Sequence, residues 1–424
     1  MNRWIEKVRD HMNEYQFDSP EEDEKHSRMI LQCCSGNQEA QEYVIDKIKA
    51  ILKRYRAKDV DHLAYEIFKK EYGLSIIHDL VENREKKYNN IECIDYDWIE
   101  VEKSDGTWKK LDIQFDSEEE FEIIIKRAIQ HDNKPDINRE NPLVESKLLS
   151  GARVTAALKP AGYRNYLFIK LFNSFSPTEE SYLKNGGINK EIIKFTKILF
   201  KILPSIVIIG GINRGKTTFL KYLVGLLNEN LKIGTLASDF EAKLQEIYPD
   251  RNIVSMQETP KYGLLEEFKW MLRANRDVII LEEARGAEVK ESAKASRRGI
   301  GCTFLTGHVL DPQSVPEEFA EMYLEGGIPV DINFLLYRFA RAFNITYRIR
   351  QLEDGRRIVD DISEIVVDIE TRTYKRNILF SWNPKTEIHQ RVGGIEGEDL
   401  LMRMEYYNLT EEEKKYLKMM GDTN

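Results

Sequence analysis

The sequence predicts an α/β fold over residues 177–424, preceded by a smaller α+β domain over 91–176 and a helical region over 1–90. Three observations predict it. A short, wholly apolar run, Ile206–Ile209, suits a strand buried on both faces of a parallel sheet. Strand-like and helix-like pieces then alternate through LKIGTLA, NIVSM, LLEEFKWMLRA, DVIILEE and GCTFLTG. Upstream, the texture changes at Cys93 from helical spacing to period-two alternation.

In chain order, Val44, Ile48, Ile51 and Leu52 recur at helical spacing, and a second run through Leu63, Ile67 and Phe68 stops at Gly73. IECIDYDWIEVE followed by SDGTW predicts strand, turn and strand; EEEFEIIIKRAIQ predicts an amphipathic helix; ARVTAALKP and NYLFIKLF predict two more strands. Ser174–Pro177 marks a connection, KEIIKFTKILFKIL a short helical stretch, and Pro204 the break before the apolar run. The tail from Leu400 predicts helix, with Thr410 and Glu413 spaced as a capping box.

Composition narrows the class. With 424 residues, 42% hydrophobic and 32% charged, the chain has material for two or three packed domains. Its apolar runs fall short of the ~18 residues of a bilayer crossing, and the start reads as no secretory signal, so a cytoplasmic protein without a transmembrane segment is expected. A net charge of −9 argues against nucleic acid as the main ligand. The scattered cysteines, Cys33 and Cys34 adjacent and Cys93 and Cys302 alone, fit neither a disulfide framework nor a zinc site.

The chemistry concentrates after the apolar run. Gly210, Gly211, Ile212, Asn213, Arg214, Gly215, Lys216, Thr217 and Thr218 form a phosphate-binding loop. Its glycines let backbone N–H groups turn into a concavity that fits phosphate oxygens. Lys216 supplies a point charge to the outer phosphates, the Thr217 hydroxyl suits Mg²⁺, and the next helix adds its positive N-terminal end. That helix has Leu220, Leu223, Val224 and Leu227 for burial against a sheet. Asn133–Asp136 reads NKPD, like a guanine-recognition element, but it precedes the loop and predicts only a polar turn.

DVIILEEARG is an apolar strand ending in two carboxylates, where a nucleotide hydrolase places an Mg²⁺-linked acid and a water-orienting group. Spacing alone does not choose between Glu282 and Glu283. His308 follows another apolar strand in FLTGHVLD, and Arg153, Lys170, Arg273 and Arg285 have the charge to touch phosphate.

The ordered set of phosphate loop, acidic segment, strand ending EEARG and TGH histidine resembles the type II/type IV secretion ATPases. The CpaF/TadA-type tight-adherence pilus motors look most similar. YGLSIIHDLVENRE, SGARVTAALKP and FIKLF look like the family's N-terminal segments, and LEDGRRIVDDISEIV like the strand pair after the histidine box. The resemblance implies a RecA-like ATPase domain behind a PAS-like α+β domain, a hexameric ring and ATP with Mg²⁺. It implies Glu283 as catalytic Walker B glutamate and metal-linked acid, with Arg285 as the arginine of that motif. His308 matches the residue that senses the γ-phosphate, and Arg153 an arginine that closes over the nucleotide. Lys170 stands where the family has arginine, Asp239 matches the acidic box, and Arg273 would act on a neighbouring subunit's nucleotide. A motor for secretion or pilus assembly on an inner-membrane platform protein is therefore expected, peripheral to the membrane. The alternatives are a conjugative type IV motor and a nucleotide-gated scaffold with little hydrolysis. Asn213 and Arg214 depart from the family's GGTGSGKTT, Ser238 from the acidic box and Glu282 from a glycine.

Overall fold

In the computed structural model, residues 1–424 are described except 14–18, 34–35, 131–136, 173–176, 260, 299, 301, 326, 328–329 and 421–424. Cys34, the NKPD segment and most of the Ser174–Pro177 connection lie outside the described residues. The chain divides into two compact units, Met1–Asn173 and Ser174–Asn424.

The first unit opens with helices Asn2–Asn13, Pro20–Cys33, Gln38–Arg54 and Val60–Glu71, which bury Val44, Ile48, Leu52, Ile67 and Phe68 in one cluster. Its sheet comprises β1 (Tyr88–Ile94), β2 (Ile99–Lys103), β3 (Trp108–Leu111), β4 (Leu143–Lys147), β5 (Arg153–Ala157) and β6 (Tyr166–Lys170). Their order is β3-β2-β1-β6-β5-β4, with every neighbour antiparallel. The stretch IECIDYDWIEVE holds two strands of a hairpin, because Asp95 takes a left-handed φ of 67° and turns the chain. SDGTW then makes a second turn into β3. Helix Glu118–Ile129 covers the sheet with Phe121, Ile124, Ile125 and Ala128 and is capped by Ser117. The helical start belongs to the same unit as this sheet. Lys70 pairs with Asp116, and Arg127 donates to the carbonyls of Lys70 and Gly73.

The second unit is built on β7 (Ile206–Ile209), β8 (Ile233–Ala237), β9 (Ile253–Gln257), β10 (Val278–Leu281), β11 (Thr303–Gly307), β12 (Ile345–Gln351), β13 (Arg357–Asp368), β14 (Thr373–Asn383) and β15 (Ile388–Arg391). Among the described residues these form one nine-stranded sheet, ordered β15-β14-β13-β12-β7-β11-β10-β8-β9. From β12 through β9 all neighbours run parallel, and beyond β12 they are antiparallel.

Strands β7, β8, β10 and β11 are buried along their whole length, as apolar runs without alternation require when helices cover both faces. Ile206, Ile208, Val278 and Ile280 face a core shared with helices Lys190–Leu199 and Lys216–Leu226. Val207, Ile209, Ile279 and Leu281 face the opposite core, with helices Leu264–Met271, Val315–Leu324 and Ile332–Ala340. Beyond the sheet lie helices Glu398–Tyr406 and Glu411–Lys418, the second with the Thr410–Glu413 capping box fully formed.

Candidate active site at the carboxyl edge of the parallel strands

The parallel strands all deliver their C-terminal ends to one edge, where open α/β sheets bind ligands. There β7 runs into the glycine-rich loop. Gly210 has φ +148°, and a Cβ on it would stand 2.5 Å from the carbonyl oxygen of Ile349 on neighbouring β12. Asn213 adopts a left-handed φ of 56°, a conformation asparagine tolerates better than most residues. Gly215, at φ +90°, is the N-cap of helix Lys216–Leu226 and gives it no side-chain cap. The first-turn N–H groups of that helix are thus matched to an anion.

Lys216 is 7% exposed. Its ammonium donates to the carbonyls of Gly210 (3.0 Å) and Gly211 (2.9 Å) and lies 3.2 Å from His308 Nδ1. Thr217 and Thr218 occupy the first helical turn, half-buried, while Ile212, Asn213 and Arg214 are exposed on the loop.

Strand order explains how distant residues meet. β11 lies between β7 and β10, so His308, just past β11, has Lys216 on one side and Glu283 on the other. The imidazole accepts from Lys216 at Nδ1, and Nε2–H donates to Glu283 Oε1 at 2.8 Å. Arg285 donates to the other oxygen of Glu283. Burial pushes the Glu283 carboxyl up, but the bonds from His308 and Arg285 outweigh it and bring it down to about 2. Such a carboxylate stays ionised at neutral pH, suited to aligning water or an ion and weak as a base while both partners hold it.

Glu282 does something else. Side chains alternate along β10, so it continues the row of Val278 and Ile280 and faces helix Lys216–Leu226. It is 5% exposed, accepts from the Thr235 hydroxyl (2.6 Å) and the Ala242 N–H (2.9 Å), and is pushed up by burial to about 7. The Ala242 bond ties the loop after β8, which carries buried Asp239, to the end of β10. Asp239 and Glu258 join Glu283 in raising the Arg285 guanidinium, against a burial effect that lowers it. Lys221, buried on the same helix face, is pushed down to about 8 by burial, offset in part by Glu241 and Glu282.

The remaining expected site residues lie on other elements. Arg153 and Lys170 sit opposite each other on β5 and β6 in the first unit. Arg273 is exposed just after helix Leu264–Met271. Sequence reasoning missed Glu288, whose carboxylate accepts the N–H groups of Arg285 (2.7 Å) and Gly286 (2.8 Å) and so shapes the ARGAE turn. It also missed Gln351, at the end of β12, which accepts from Arg214. Glu288 lies two residues past the DVIILEEARG segment, whereas nothing in the linear sequence points to Gln351.

Among the described residues no cluster of three or more acidic, histidine or cysteine side chains would cage a metal ion. A Mg²⁺ that keeps its waters and binds substrate phosphates needs only one or two protein oxygens, and Thr217 and Glu283 fit that demand.

A buried parallel strand, a glycine loop with its lysine at a helix start, and an acid at the end of a nearby strand define a phosphate-loop nucleotide-binding domain. Residues 97–311 match the family model described as Type II/IV secretion system protein. That is just over half of the chain, and the chain belongs to this family. An uncharacterized protein of Bacillus anthracis is 26% identical over 161 residues, 38% of this chain and 36% of its own length. One of Methanocaldococcus jannaschii is 24% identical over 242 residues, covering 54% of this chain and 84% of its own. The chain thus spans little more than a third of the Bacillus relative. Among solved structures, the pilus retraction motor PilT with bound ADP shares the fold, with a TM-score of 0.50, 15% identity and coverage of 72% of this chain and 82% of that one. The Legionella pneumophila ATPase DotB is also similar, with a TM-score of 0.47, 18% identity and coverage of 70% and 81%.

Proposed function

We propose that the chain is an ATP-hydrolysing motor of a secretion or pilus-assembly system, of the tight-adherence pilus type. The observation that carries this reading is the continuous link Lys216–His308–Glu283 across the carboxyl ends of three adjacent strands. Lys216 and the uncapped helix start hold the triphosphate, and Thr217 and Glu283 present oxygens to Mg²⁺, which neutralises phosphate charge when bound. Glu283 aligns the attacking water. When phosphate oxygens draw Lys216 away from His308, Nδ1 is freed as an acceptor, so the histidine reports the state of the γ-phosphate to the acidic strand. Arg153, Lys170 and a neighbouring copy's Arg273 belong to the reading as further cations for the nucleotide.

The motor works as a ring of copies, six by family resemblance, docked on a platform protein at the cytoplasmic face of the membrane. No helix among the described residues is long and apolar enough to cross a membrane. The test is direct. Purified protein hydrolyses ATP, Lys216→Ala abolishes that, and Glu283→Gln keeps ATP binding while losing turnover. Activity that survives Lys216→Ala overturns the site.

A further inference from the structure

The loop carries a second cation, to whose side chain the reading above gives no role of its own. Arg214 stands directly before the Gly215–Lys216 pair, exposed at the loop's rim. Among the described residues its guanidinium donates to the neutral amide oxygen of Gln351, and no carboxylate pairs with it. Several other arginines of this unit are held by carboxylates. Arg285 pairs with Glu283, Arg348 and Arg350 share Asp360, and Arg356 pairs with Asp354 and Glu387.

The Arg214 stem crosses the start of the loop. A Cβ on Gly211 would lie 3.4 Å from its Cγ and 3.7 Å from its Nε, so the arginine packs within ordinary contact distance of the loop's start. The two cations lie on different sides. Lys216 reaches toward β11 and His308, on the way to Glu283, whereas Arg214 reaches toward β12 through Gln351. Water-aligning chemistry belongs to the Glu283 side, so the γ-phosphate lies there and the nucleoside end of the phosphate chain lies toward β12.

We infer that Arg214 is a second phosphate-gripping residue, closing on the α- and β-phosphates of the nucleotide, with Gln351 as the partner that holds it at the loop rim. This rests on the loop binding ATP. An arginine held by a neutral amide is exchanged cheaply for a phosphate oxygen, since the anionic oxygen adds a Coulomb attraction that the neutral amide lacks. Its grip acts on a part of the nucleotide common to ATP and ADP, so it strengthens binding of both and leaves the chemical step alone.

The experiment measures Kd for ADP and for ATP·Mg²⁺, with kcat, on the full chain and three variants. Arg214→Ser weakens both nucleotides about tenfold, the loss of one charge-assisted bond. Gln351→Glu gives the arginine a carboxylate and weakens binding in the same way, although Arg214 is still present. Gln351→Ala binds at least as tightly as the wild type. If neither Arg214→Ser nor Gln351→Glu changes affinity, or if Arg214→Ser lowers kcat while affinity is kept, the inference is overturned and the reading of the site stands. A wild-type chain that binds neither nucleotide overturns both. Gln351→Glu changes one half-buried amide, which also donates to the Gly355 carbonyl at 3.4 Å, to a carboxylate of the same shape, so the test survives a failure of Arg214→Ser to fold.

Discussion

Replacing Glu282 by glutamine isolates one buried carboxyl and makes its effect readable against pH. In the folded chain burial holds this group at about 7, above its ordinary 4.5. Between those values the unfolded chain gives up the proton and the folded chain keeps it. Stability from this group is therefore fully present below pH 4.5 and is lost as pH rises through about 7. The loss is ~3 kcal/mol. Glutamine keeps an oxygen for Thr235 but turns an amide toward the Ala242 N–H, which costs about 1 kcal/mol at every pH. The two stability curves should therefore cross just above pH 5: wild type ahead by ~1 kcal/mol near pH 4, the variant ahead by ~2 kcal/mol near pH 8. Glu267, also raised to about 7 by burial and by Glu258, tilts both curves equally and cancels in the difference. Hydrogen exchange of the β8 and β10 amides, measured in chelator and corrected for intrinsic rates, reads this unit by itself. Curves that stay parallel from pH 5 to 8 would refute the assignment of Glu282 as a neutral, loop-holding acid.

Other predictions concern single positions. Gly210→Ala should abolish nucleotide binding, because its Cβ would lie 2.5 Å from the Ile349 carbonyl and β12 would have to separate from β7; calorimetric titration with ADP checks this. Glu288→Ala should cost about 1–3 kcal/mol by stranding the N–H groups of Arg285 and Gly286, and should lower kcat by displacing Arg285 from Glu283; urea unfolding and a phosphate-release assay read the two effects separately. Thr410→Ala should cost about 1 kcal/mol by opening the capping box, without touching ATP turnover, as seen in the melting transition.

The phosphate loop was legible because its strand is buried on both faces and so cannot alternate, and because a left-handed turn demands glycine or asparagine at fixed offsets. The choice between Glu282 and Glu283 was not legible from spacing. Alternation sends them to opposite faces, but which face carries the chemistry depends on Thr235 and Ala242 waiting beside β10. The β1–β2 hairpin looked like one strand because apolar–polar alternation runs through its turn, and only the left-handed Asp95 breaks it. Gln351 lay furthest from view. Its place beside residue 214 follows from β12 pairing with β7, Arg348 opposite Ile209, a register set by the packing of the whole sheet.

That pairing makes β12 a strand with two allegiances, parallel to β7 and antiparallel to β13. Because it runs three residues past its last pairing with β7, Arg348 opposite Ile209, its return turn at Leu352–Arg356 lies beyond the end of β7. The ladder continues through β13 and β14 to β15, with register shifts in the β12–β13 and β13–β14 pairings. The outer antiparallel wing is thus joined by the sheet's ladder to β12, whose last residue, Gln351, accepts from Arg214 of the glycine loop. A displacement of that wing bears on β12 before it bears on any other strand of the parallel part.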